Sequence, residues 1–271
     1  MKNIAFSFFF LLALIFTGCE TVVDLELEQS KPTLAVEATI TDQAILNTVR
    51  LTMSAPYAKN IAPEPVTSAQ VTLIDNAGNT IPFLHDGHGT YKPAPDFKGV
   101  AGKTYTLTIQ ANGQTYTATS MLNQVPVLDK VTYEYVAGKN DDYGRKEGYF
   151  IAVAFQDIVG VKNHYKLDIL KNGQLKQRDG NDIMVTEDKL YDGAYLDDNQ
   201  IFIAFNKGDK LDVRLLSLSK EAYDFYSALG SLSSQGGFMG RNPANLPTKI
   251  SNGAVGFFSA SAVSTKSLVI E

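Results

Sequence analysis

The sequence predicts a mainly all-β chain made of two β-sandwich-like domains, the second carrying one short amphipathic helix. Three observations lead there. Apolar and polar residues alternate with period two in many short runs from Leu34 onward. Between residues 33 and 122 turn-forming residues return every ~10 positions, the spacing of an immunoglobulin-like sandwich. Only one stretch, near 219–230, has a helical period.

In order, residues 1–18 read MKNIAFSFFFLLALIFTG: Lys2, then an apolar run from Ile4 to Phe16 broken by Ser7. That is a short charged region followed by a hydrophobic one, the layout of a secretory signal. Polar and acidic residues (Thr17, Cys19, Glu20, Asp24) arrive too early for a spanning helix, which needs ~20 apolar residues. The run ends in Thr17-Gly18-Cys19, which resembles a bacterial lipobox, with Phe16 where Leu is commonest. The resemblance implies cleavage after Gly18 and an acylated Cys19. Residues 19–31 then form a lipidated, acidic tether able to add a strand to the body.

Residues 32–122 are expected to form an immunoglobulin-like sandwich. LAVEATIT, TVRLTMS and AQVTLID are its strands, and DNAGNT (75–80) is a turn. In KTYTLTIQANGQTYTATS (103–120), Asn112-Gly113 supplies the positive φ of a tight hairpin. Tyr105, Leu107 and Ile109 should be buried, and Thr104, Thr106 and Thr108 wet. Residues 123–130, NQVPVLDK, read as a connector.

Residues 131–271 are expected to form the second β-rich domain. YFIAVAFQD is apolar enough for a central strand buried on both faces. HYKLDILKNGQLKQ turns at Asn172-Gly173, and IFIAF and KLDVRLLSLS follow as strands. SKEAYDFYSALG (219–230) is the helix: Ser219 caps it, Glu221 lies in its first turn, and Gly230 is placed to end it. Its apolar stripe (222, 225, 226, 229) should face the second sheet. The tail ends in one or two strands.

Composition narrows the function. The hydrophobic share of 44% supplies a core, and the single cysteine leaves no disulfide to replace one. A formal net charge of −5 with no basic run gives no electrostatic case for nucleic acid or anionic lipid headgroups. The membrane link is therefore the N-terminal acyl chains. His85 and His88 lie in a Gly-rich turn and read as solvated; His164, at the start of a strand, reads as a surface or satisfied residue. No nucleophile elbow or phosphate-binding loop is found. Asp141/Asp142, Asp179/Asp182 and Asp197/Asp198 fall in predicted loops, and DGNDIMVTE breaks the EF-hand pattern at Ile183. Asp192, Asp197 and Asp198 are the best calcium candidates, on ligand type and spacing alone. No cofactor and no catalytic residue is expected.

Several segments together resemble a family of Bacteroidetes lipoproteins carrying a domain of unknown function. They are the lipobox with its acidic tether, PTLAVEATITD, SAPYAKN, SAQVTLIDNAG, GTYKP with GKTYTLTI, LLSLSKEAYDFY, and NPANLPTKISNGAVGFFSA. Ala254-Val255 depart from the family's usual late NGLG. DGHGTY with KGVAGKTYTLTI is also similar to carboxypeptidase-regulatory and immunoglobulin-like sandwiches. Such lipoproteins are typically encoded beside TonB-dependent receptors. The resemblance therefore implies a lipid-anchored outer-membrane location and a non-enzymatic binding or scaffolding role beside an uptake receptor. A stand-alone surface adhesin or carbohydrate-binding module is the alternative.

Overall fold

The computed structural model describes residues 31–55, 61–138, 145–176, 183–233 and 246–271. Gly18, Cys19, nearly all of the tether, Asp141, Asp142, Asp179 and Asp182 lie outside them. Pro32–Glu271 form one compact unit, and the fold is β-sandwich throughout, as the alternation predicts.

A first ribbon contains β1 (Leu34–Thr41), β2 (Thr48–Met53), the short β3 (Glu64–Pro65), β4 (Gln70–Asp75), β5 (Thr80–Gly87), β6 (Thr90–Lys92), β7 (Thr104–Ala111) and β8 (Gln114–Met121). β16 (Val255–Ser261) joins it from the far end of the chain. The order is β16-β1-β2-β6-β5-β4-β7-β8, with β3 on β2. β5 turns the ribbon: Thr80–Phe83 pair with β4, whereas Leu84, His85 and Gly87 pair with β6. The two ends then meet. Ala260 N–H donates to Ser120 Oγ at 3.0 Å, and Asn123 bridges Ser261. The ribbon thus nearly closes around one core that includes Val36, Leu51, Leu73, Tyr105, Leu107 and Ile109. In the β7–β8 hairpin, Asn112 (φ 53°) and Gly113 (φ 74°) make the expected turn. Thr104, Thr106 and Thr108 are half-buried rather than wet, with Thr106 facing Thr119 across the pair.

The second sandwich packs a three-stranded sheet on a five-stranded one. The smaller orders β14 (Tyr195–Phe205), β10 (Gly148–Gln156) and β9 (Leu128–Val136). The larger orders β12 (Gln174–Leu175), β11 (His164–Lys171), β15 (Lys210–Ser217) and β17 (Val263–Val269), with β13 (Met184–Glu187) also on β11. β10 is buried on both faces, as its composition requires. On its outer side the Arg145 guanidinium covers the Phe150 ring at 5.1 Å and ties Glu134 of β9 to Gln200 of β14.

Two boundaries differ from the sequence reading. β14 begins at Tyr195, so Asp197 and Asp198 sit on a strand, not in a loop. They occupy an irregular stretch where Asn199 pairs with Val153 but Leu196 with Phe155, and Asp198 takes φ 57°. Local bulging lets two exposed acids ride an edge strand. The helix α1 runs Lys220–Ser233 and passes through Gly230; Ser231 Oγ donates to Ser227 O and the turn continues. Ser219 caps it as expected, accepting from Ala222 N–H at 3.2 Å. Its stripe meets both sandwiches: Phe225 and Tyr226 pack on Phe257 of β16, while Lys166 of β11 lies over Tyr226.

The last strands bind the halves together. β16 runs parallel to β1, and after Ala262 alone β17 runs antiparallel to β15. Around this crossing Ser217 Oγ donates to Asn123 O (2.7 Å) and accepts from Ala262 N–H (2.9 Å). Asn123 Nδ2 donates to Leu218 O, and Val263 N–H to Asp42 Oδ1. Satisfied buried polar groups of this kind specify one arrangement, because any other leaves them unpaired. Gly256 serves the same end: at φ 109° it lets β16 approach β1 so closely that a Cβ would collide with the Val36 carbonyl.

Candidate binding cleft

In the second sandwich, β9 and β17 close one side: Leu128 N–H donates to Ser264 Oγ, and Lys266 Nζ to Asp129 O. The opposite side is flanked by the edge strands β13 and β14 and is open among the described residues. A cleft of about 630 Å³ enters the core there. Its floor is Val153 and Phe155 of β10, Leu167 of β11 and Leu215 of β15. Met184 of β13 and Ile201 and Ile203 of β14 form its walls. These are the inward positions of their strands, so the cleft is sandwich interior left unfilled. Three polar side chains converge on it: Thr186, Tyr191 and Asn199. Thr186 Oγ1 and Tyr191 OH are 2.9 Å apart, and Asn199 Nδ2 donates to Val153 O. The size lies within the roughly 300–1,000 Å³ of small-molecule sites, as does the mix of apolar wall and few polar groups.

Behind Tyr165 and Tyr191, which also line the cleft, the carboxylates of Asp157, Asp188 and Asp192 lie within 4.8 Å of one another. Asp157 accepts from Tyr165 OH (2.6 Å) and Gly193 N–H (2.8 Å). Asp188 accepts from Asn163 N–H and Asp192 from Gly160 N–H, both at 2.7 Å. Turned so that its nitrogen faces the two carbonyls, the Asn163 amide in turn donates to Ile158 O and Val161 O. The aspartates thus clasp loop 157–163 to loop 188–194. They are hard oxygen donors of the kind calcium takes, yet each carboxylate already accepts a hydrogen bond from the chain. Burial first, then the bond to Asp157, pushes the Tyr165 hydroxyl far above its ordinary pKa, so it stays a donor. Burial likewise raises Tyr191.

Of the sequence candidates, only Asp192 enters this cluster; Asp197 and Asp198 stand apart on β14. Its partners Asp157 and Asp188 were missed. The one available signal was an aspartate ending an apolar strand, as in AVAFQD. His85 and His88 are exposed at the β5–β6 turn, where Asp86 pairs instead with Lys92. His164 packs on Tyr223. Tyr133, Tyr135 and Tyr149 gather at one end of the sandwich with their rings inclined by 68° and 50° across the two contacts. Tilted rings pack edge to face and do not form the flat row on which a sugar would stack. No described helix is long and apolar enough to cross a membrane.

Fold and cleft define a two-sandwich β-protein with one open, apolar interior. The family model described as "Domain of unknown function (DUF4249)" matches residues 20–267, and the chain belongs to that family. No curated protein matches it. Among solved structures, a two fibronectin type-III domain segment from chicken tenascin is similar at 15% identity and TM-score 0.20, over 69% of this chain and 91% of that one.

Proposed function

We propose that this protein is a non-enzymatic, lipid-anchored binding accessory held at the outer membrane by Cys19. The observation that carries the binding role is the open cleft of the second sandwich, set in a body whose two halves are pinned together at Ala262. A rigid scaffold presents a preformed site without an ordering cost at binding. The lipobox-like Thr17-Gly18-Cys19 supports the anchor. Several acyl chains hold a protein firmly at a bilayer, and confinement raises its effective concentration beside a membrane partner. The resemblance to lipoproteins encoded beside TonB-dependent receptors supports such a receptor as that partner.

A detergent pull-down from the native envelope through a C-terminal tag tests this. A TonB-dependent receptor recovered in near-equal amount is the expected result. Recovery of no receptor overturns the accessory role and favours the stand-alone adhesin. Cys19→Ala should move the protein from the membrane to the soluble fraction; unchanged membrane association overturns the anchor.

A further inference from the structure

We propose that the cleft between β13 and β14 holds a small amphiphile with an apolar body and a neutral or cationic headgroup. The inference deepens the binding role proposed above and is independent of any receptor. Three features lead to it.

The first is containment. Val153, Phe155, Leu167 and Leu215 are nearly inaccessible at the floor, while Met184, Ile201 and Ile203 stand half-buried above them. An apolar ligand would complete contacts that the sandwich makes everywhere else and makes here on one side only. The second is the edge itself. β13 has four residues, and β14 is broken by the irregular stretch that carries Asp197 and Asp198. Short, bulged and acidic edges resist pairing with another strand, so the geometry favours a compact ligand over an added peptide strand.

The third is charge. Asp157, Asp188 and Asp192 lie behind the lining tyrosines Tyr165 and Tyr191. Lys162 and Lys189 are the only cations on the two clasped loops, leaving the mouth with an excess of negative charge. An anionic headgroup would be repelled there. Thr186, Tyr191 and Asn199 offer hydroxyl and amide groups to a neutral polar one.

The chain from residue 20 on keeps the whole compact unit and avoids signal from its own acyl chains. Titration with neutral N-phenyl-1-naphthylamine should give a saturable rise in fluorescence at one probe per chain. The anionic 8-anilinonaphthalene-1-sulfonate should bind at least tenfold more weakly. Ile201→Trp, which fills the cleft, and Met184→Lys, which charges its wall, should each weaken the neutral probe tenfold or more. Leu84→Trp, on the exposed face of β5, should leave binding unchanged. Melting temperature monitors folding throughout. Non-saturable binding, or wild-type affinity in folded Ile201→Trp, overturns the site. Equal affinity for the two probes overturns the headgroup preference. A receptor missing from the pull-down with probe binding intact would remove the partner and keep the ligand.

Discussion

The two sandwiches use the same strands, the same Asn-Gly hairpins and the same branched aliphatic cores, yet one closes and the other does not. In the first, β16 arrives from the end of the chain to meet both β1 and β8, and the ribbon nearly closes around its core. In the second, β9 and β17 meet on one side, and the other is left between a four-residue strand and a bulged one. Among the described residues no strand covers that side, and a cavity is left. Stability should therefore concentrate in the first core, and the binding proposed above in the second.

Deletions in the two cores should differ accordingly. Leu73→Ala, in the closed core, should cost about 3–4 kcal/mol in urea unfolding, because the neighbours cannot collapse onto the void. Leu167→Ala, on the cleft floor, already borders open space and should cost about half of that. Equal losses would break the comparison. Gly256→Ala adds a Cβ against the Val36 carbonyl at positive φ and should cost about 2–3 kcal/mol, opening the first sandwich to resemble the second.

A smaller effect is expected at the crossing. Ser217→Ala leaves the Asn123 carbonyl and the Ala262 N–H without their partner, at about 1–3 kcal/mol. It should also separate the unfolding of the two halves, seen as a broadened or two-step transition. A single unchanged transition would show that the crossing does not couple them.

The smallest effect is pH-dependent. The Lys103 ammonium, then the Asn79 amide, hold the Asp75 carboxyl well below its ordinary value of 3.8. A folded-state pKa below the unfolded one stabilises above the unfolded value and is lost as pH falls toward the folded one. Asp75→Asn should therefore lower the melting temperature at pH 6, and the gap should shrink as the pH drops below about 4. A gap constant with pH would contradict the pairing.

Much of this fold was legible because the period of two is local information. Tyr105, Leu107 and Ile109 declared one face, Asn112-Gly113 and Asn172-Gly173 declared turns, and YFIAVAFQ declared a doubly covered strand. What was not legible depends on distant pairing. Nothing near VGFFSAS says that it joins β1, although Gly256 marks a close approach somewhere. The acidic triad joins Asp157 to Asp188 and Asp192 only when two loops meet, so adjacency in sequence pointed instead to Asp197 and Asp198. The cleft lies where no described strand covers the core, and a sequence carries no local mark of an uncovered side.

Amide hydrogen exchange on the chain from residue 20, with and without N-phenyl-1-naphthylamine, tests the division of labour most directly. β1, β2, β4, β7 and β8 should exchange only through global unfolding, while β13 and β14 should exchange through local opening that the probe slows. Uniform protection across both sandwiches, or slowing by the probe in the first, would contradict that division.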